Sequence, residues 1–135
     1  MPNEPTFVLD ACALLRLLQD EPGADRVHSL LTGASAGKHR VFMHLINLGE
    51  VIYIIAKEVG WEVSQRKKAE IGLLPLHILS FSDPLFWKAV ELKSHHPMSY
   101  ADCFAAAAAI KERATLLTSD PEFQSVKHLV NVEPI

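Results

Sequence analysis

The chain has little that would place it outside the cell or in a bilayer. Only two cysteines occur, Cys12 and Cys103, too few for a framework of bridges, so reduced thiols in the cytoplasm are expected. The longest apolar stretches, 51–56 and 105–110, fall far short of the roughly 20 residues that a spanning helix needs. Residues 1–5 are polar and carry Glu4 where a secretory leader would be positive, so no targeting segment is expected. Excess positive charge is lacking as well. The formal net charge is −3, so the broad basic footprint common among nucleic-acid binders is missing. There is no internal repeat, low-complexity tract or linker, and no glycine-rich phosphate loop follows any strand-like run. The seven histidines show no metal-ligand spacing with one another or with the cysteines, which argues against a structural zinc.

What is present is the composition of a globular domain. Of 135 residues, 49% are apolar and 21% charged, enough for one core, and a single domain over 1–135 is expected. Apolar runs and helical stretches alternate in the manner of an α/β sheet. Strands are expected at 6–9, 41–43, 76–81, 115–117 and 129–132. Helices are expected at 11–18, 23–31, 44–59, 63–73, 82–95 and 100–113, punctuated by Pro22, Gly60, Pro84 and Pro97.

In such a fold the helix N-termini and the strand ends share one edge of the sheet, where ligand sites form. Asp10 closes the first strand, Asp102 lies in the first turn after Ser99, and Asp120 follows the fourth strand. Glu50 sits in the second turn of the helix after the second strand. All four therefore fall on one edge. Three of them have an ordinary reading as helix caps: Asp10 before 11–18, Asp102 in the capping box Ser99-Tyr100-Ala101-Asp102, and Asp120 before Pro121-Glu122. Glu50 has no such reading. It lies within Leu45 to Ile55 among apolar neighbours, with no lysine or arginine within a turn on its face. A buried carboxylate without a partner costs several kcal/mol or more, and a metal ion shared with the other acids would supply one. Magnesium takes oxygen ligands and works beside phosphates, so the acids suggest metal-assisted phosphodiester hydrolysis.

Four segments carry a likeness: 8–15 around Asp10, Asn47-Leu48-Gly49-Glu50-Val51, Ser99 to Ala105 around Asp102, and Leu117 to Phe123 around Asp120. In this order and spacing, which spans about 6–132, the chain resembles the PIN-domain proteins, and most closely the VapC-type toxin ribonucleases of VapBC toxin–antitoxin systems. The resemblance implies a PIN-like three-layer α/β/α fold with a central, mostly parallel sheet of four or five strands. It implies a magnesium-dependent endoribonuclease, manganese being able to substitute, with Asp10, Glu50, Asp102 and Asp120 as its catalytic and metal-binding acids. Thr118 matches a hydroxyl that supports the last acid in many relatives. RNA as substrate, a cognate antitoxin whose C-terminal segment lies across the site, and a homodimer are further implications. Asn47, one turn before Glu50, is a candidate supporting residue. Cys12 departs from the serine or other small polar residue common two positions after the first acid.

Two further readings concern surface residues. Arg66, Lys67 and Lys68, with Lys38 and Arg40, would either contact RNA phosphates or simply be solvated. Trp61, Phe81, Phe86 and Trp87 are expected in the core or at a dimer interface. Aspartyl-phosphate enzymes fit poorly, because Cys12 stands where a haloacid-dehalogenase pattern needs its second acid. The stronger rival is a PIN-like RNA- or protein-binding module with weak or no nuclease activity.

Overall fold

The structure is a computed structural model that describes residues 5–135; residues 1–4, most of the stretch read above as lacking a targeting signal, lie outside it. The chain runs β1 (Thr6–Leu9), α1 (Ala11–Leu18), α2 (Ala24–Ser35), β2 (Arg40–His44), α3 (Leu45–Val59), α4 (Trp61–Ile71) and β3 (His77–Leu79). It continues with α5 (Asp83–His95), α6 (Tyr100–Glu112), β4 (Thr115–Thr118), a 3-10 segment (Pro121–Val126) and β5 (Asn131–Pro134). The five strands form one wholly parallel sheet in the order β3-β2-β1-β4-β5.

A parallel sheet must be covered on both faces, because its connections lay helices over them. The period-two alternation of the strands divides the core accordingly. Val8, Phe42 and Leu116 face a cluster with Leu85, Ala89 and Leu92 of α5 and the fully buried run Ala105–Ala109 of α6. Leu9, Val41, Met43 and Leu117 face the other way, against Leu14, Val27, Leu30, Val51, Ile55 and Ile71 of the first four helices. The result is a three-layer α/β/α fold. The small side chains of Ala105–Ala109 let α6 lie close between the sheet and α5, and this helix carries Asp102.

Some boundaries differ from the sequence expectation for local reasons. The apolar run 76–81 pairs only over His77–Leu79, because β3 is an edge strand held on one side and Phe81 turns away to meet His44 and Phe104. The 129–132 strand is displaced to Asn131–Pro134, where it pairs with β4. Trp61 and Trp87 are more than 60% exposed and Phe81 is 52% exposed, so these are not core residues. Lys67 of the basic cluster pairs with Glu70 one turn along at 3.1 Å on an exposed face.

The α2–β2 corner depends on one close approach. His39 Nε2 bonds the Leu30 carbonyl at 2.6 Å, and its ring meets Phe7 edge-on at 5.1 Å. A Cβ at Gly33 would stand 2.3 Å from that ring. Gly33→Ala must therefore displace His39 and break the bond, and a loss of about 1–3 kcal/mol in chemical denaturation is expected, as for other overpacked sites.

Candidate active site

The sheet order reverses around β1: the chain leaves β1 for β2 on one side, and β4 occupies the other. A crevice opens at such a switch point beyond the carboxyl ends of the strands. β1 and β4 are in register at Leu9 and Leu117, so the next residues on each strand, Asp10 and Thr118, stand side by side. The Thr118 hydroxyl donates to Asp10 Oδ2 and accepts the Asp120 N–H at 2.9 Å. One side chain thus fixes the first acid and the backbone of the last. Asp10 Oδ1 also accepts the Ala13 N–H at 2.8 Å, capping α1. Capping and site membership are not alternatives for this residue: one carboxylate oxygen serves each.

Asp10 is 1% exposed, and burial, opposed by the bonds from Thr118 and Ala13 but reinforced by repulsion from Asp120 and Glu50, pushes its carboxyl up to about 6. Asp102 stands in the first turn of α6, where its N–H bonds Ser99 Oγ at 3.1 Å, completing one half of the expected capping box. Burial, then repulsion from Asp120, and then from Asp10 and Glu50, pushes Asp102 up to about 7. Each of the four acids named from the sequence therefore lies within electrostatic reach of Asp10 or Asp102.

Glu50 is half-buried, and its nearest partner is not a cation. Asn47, fully buried, donates from Nδ2 both to Glu50 Oε1 at 3.0 Å and to the Ala101 carbonyl at 3.1 Å. This ties Glu50 on α3 to the residue preceding Asp102 on α6. The start of α3 is set by His44, whose Nδ1 accepts the Ile46 N–H at 3.0 Å. The His44 ring is fully buried between Phe81 and Phe104, and that burial drives it down to about 4, so it is neutral at physiological pH.

Carboxylate oxygens of Asp102, Asp120 and Glu122 lie within 4.8 Å of one another, close enough to share a metal ion. Glu122 was not singled out from the sequence, where it reads as an ordinary first-turn acid. The available signal was Asp120-Pro121-Glu122: the 3-10 turn capped by Asp120, which accepts the Glu122 N–H at 2.9 Å, brings the two carboxylates to one place. The donor set is all oxygen, which suits a hard divalent cation such as magnesium better than zinc. Among the described residues no helix is long and apolar enough to cross a membrane.

The sequence from 7 to 129 matches the family model for the PIN domain. The chain belongs to the PIN-domain family. Solved structures agree on the fold. VapBC2 from Rickettsia felis, bound to a DNA fragment from its promoter, superposes with a TM-score of 0.75 at 23% identity, covering 96% of this chain and 98% of that one. VapBC-1 from nontypeable Haemophilus influenzae gives 0.72 at 22% identity, with 96% and 97% covered. The Mycobacterium tuberculosis toxin VapC20, described as cleaving the sarcin–ricin loop, gives 0.71 at 19% identity, with 95% and 99% covered. No curated protein matches the chain significantly.

The PIN-domain residue at position 12 reaches solvent beside this site. Its surroundings and then Asp10 push the Cys12 thiol up to about 11, with Ser119 opposing, so it stays protonated and a poor nucleophile at neutral pH. A protonated thiol here does what a hydroxyl would do, more weakly. Cys12→Ser is accordingly expected to leave any nuclease activity of the site nearly unchanged in an initial-rate assay, and a large gain would mean that the thiol holds the site back.

Proposed function

We propose that this PIN-domain chain is a metal-dependent endoribonuclease that hydrolyses RNA phosphodiester bonds. The observation that carries the reading is the group Asp102, Asp120 and Glu122 beside Asp10, carboxyl groups gathered at a sheet edge, where burial and mutual repulsion raise Asp10 and Asp102. Asp10, Asp102 and Asp120, with Glu122 and in reach of Glu50, would hold magnesium, for which manganese can substitute. When bound, such an ion lowers the pKa of a water and balances charge on the phosphate. The protein's own part is positional. Thr118 holds Asp10 and the Asp120 backbone in one frame, and Asn47 keeps the Glu50 carboxylate turned toward α6. The N-termini of α1 and α6 favour negative charge at Asp10 and Asp102 and so ease the cost of gathering acids.

The biological setting that fits best is the toxin of a type II toxin–antitoxin pair. Support comes from relatives solved as VapBC complexes and from a relative described as a sarcin–ricin loop cleaving toxin. A cognate antitoxin, a homodimer, a single domain over 1–135 and a cytoplasmic location belong to the same reading.

The test is cleavage of a mixed RNA pool with magnesium or manganese, with and without chelator, by the wild type and by Asp10→Asn and Glu50→Gln proteins purified identically. Metal-dependent cleavage lost in both variants is expected. Equal cleavage by all three would mean a contaminant. No cleavage by protein free of any bound partner would leave the binding-module reading ahead.

A further inference from the structure

A cleft of about 430 Å³ lies where the end of α5 meets α6 and the turn before β5, and it shares no residue with the acidic centre. Its polar lining is Lys88, Glu91 and three of the seven histidines, His95, His96 and His128. The histidines have no ligand spacing along the chain, but the fold brings these three together. The rings of His96 and His128 have their centroids 6.0 Å apart, and those of His95 and His96 6.5 Å. With metal–nitrogen bonds of about 2.0–2.1 Å, two imidazoles on one ion have centroids about 5–6 Å apart. The His96–His128 pair already stands at that separation, and rotation of the exposed His95 side chain brings in the third ring.

The backbones that carry the rings are fixed. His96 closes α5, where its N–H bonds the Leu92 carbonyl at 3.0 Å. Just beyond it, Lys93 Nζ donates to the Met98 carbonyl at 2.7 Å. His128 sits on a turn in which the Val126 carbonyl accepts the N–H of Leu129 at 2.8 Å and that of Val130 at 3.0 Å. Leu92, Met98, Val126 and Val130 are all buried, so both segments are anchored in the core. Ligands held on rigid backbone lose less freedom when an ion binds them.

The electrostatics favour a cation. The cleft lies at the C-terminal end of α5, the negative end of its dipole. Lys88, the one lysine or arginine among the described residues that line it, is neutralised by Glu91 at 2.7 Å. That ion pair, with a smaller pull from His95, holds the Glu91 carboxyl below its usual range. A charged carboxylate thus stands one turn before His95, where it can orient a metal-binding imidazole. Imidazole nitrogen suits zinc and nickel, whereas the oxygen-only centre suits magnesium. We propose that His96 and His128, with His95 as third ligand, form a site for a borderline divalent metal such as zinc, separate from the acidic centre. The bound ion clips the end of α5 to the turn before β5.

The experiment is calorimetric titration of the untagged protein with zinc chloride in saturating magnesium. The wild type is expected to bind one zinc per chain. His96→Gln and His128→Gln are each expected to weaken binding by at least about a hundredfold, the upper end of what losing a residue that only supports a ligand costs. His28→Gln, which removes a histidine outside the cleft, and Asp102→Asn are expected to bind zinc as the wild type does. Zinc should also raise the melting temperature of the wild type and not that of His128→Gln. His96 is half-buried and His128 exposed, so both variants are expected to fold, and melts without zinc check this. No zinc binding in magnesium, undiminished affinity in both folded histidine variants, or loss of zinc in Asp102→Asn would overturn the proposal. So would one zinc per two chains, since the ion would then be shared between copies. No cleavage is measured, so the outcome is independent of the ribonuclease reading.

Discussion

Asp102→Asn is expected to abolish cleavage and, in the absence of metal, to make the protein more stable. The two effects have one cause. Asp102 is pushed up to about 7 by burial and by Asp120, Asp10 and Glu50, so its charge is unwelcome in the empty protein. An ordinary carboxyl raised from 3.8 to about 7 would correspond to about 4 kcal/mol. Because the side chain is partly open to solvent, screening reduces this, and a gain of about 1–2 kcal/mol at pH 8 is the reasonable expectation. The asparagine keeps the size and the backbone bond to Ser99, so α6 should start as before. In the presence of manganese the order should reverse, since the wild type gains a ligand-bound state that the variant lacks. Loss of cleavage by about a hundredfold or more is expected, comparable to removal of a group that stabilises transition-state charge. Glu122→Gln should behave in the same direction, with metal dependence weakened about 10- to 100-fold if the side chain is a ligand or directly supports one. Thermal melts with chelator and with manganese, alongside initial rates, check both statements. A variant that lost activity but was destabilised without metal would show that Asp102 is held by a partner other than the shared charge cluster.

That prediction turns on a feature only half visible in the sequence. The strand-helix alternation, the placement of Asp10 and Asp120 at strand ends, and the capping box at Ser99 were all legible, because each follows from local patterning and from the geometry of parallel sheets. The apparent contest between cap and catalyst was not resolvable from sequence alone, and the structure shows why. Asp10 has two oxygens and uses one for Ala13 and one for Thr118, so a good cap is also a positioned acid. The partner of Glu50 was likewise only partly legible. A carboxylate among apolar neighbours needs a partner, and the one in contact is Asn47, which also reaches Ala101, 54 residues away in sequence. Glu122 escapes notice in the sequence because it reads as the ordinary first-turn acid of a capped helix start. The segment is instead a 3-10 turn, wound at three residues per turn rather than 3.6, and it holds the Glu122 carboxylate beside Asp120. The exposed rings of Tyr53, Phe81 and Tyr100 could not be told from core residues, because their burial depends on whether another layer covers them. None does among the described residues.

Stability against pH, with and without metal, is the second large expected effect, and its sign follows from three groups. Asp10 and Asp102 are raised to about 6 and about 7 from 3.8, so they hold protons longer in the folded state than in the unfolded one. Their contribution to stability is full below about pH 4 and is lost as pH rises through 6 and 7. For Asp10, fully buried, a shift of about two units corresponds to about 3 kcal/mol. His44 acts in the opposite sense. It is lowered to about 4 by burial and must stay neutral to accept the Ile46 N–H, so its contribution is full above about 6.5 and is lost as pH falls toward 4. The metal-free protein should therefore show a shallow dependence between pH 4.5 and 7, in which the two acids outweigh the one histidine and stability declines slightly as pH rises. Manganese should change the shape of the curve rather than merely lift it. It competes with protons for the same oxygens, so its stabilisation should be near zero at pH 5 and about 3 kcal/mol at pH 7.5 with metal at about a hundred times its dissociation constant. With the acids neutralised by metal, the remaining slope is that of His44, and stability should then rise with pH. A metal-induced shift of equal size at both pH values would mean that the ion binds elsewhere than at Asp10 and Asp102. No shift at either pH, in protein confirmed to be free of prior metal, would remove the shared metal site and with it the chemical basis of the nuclease reading.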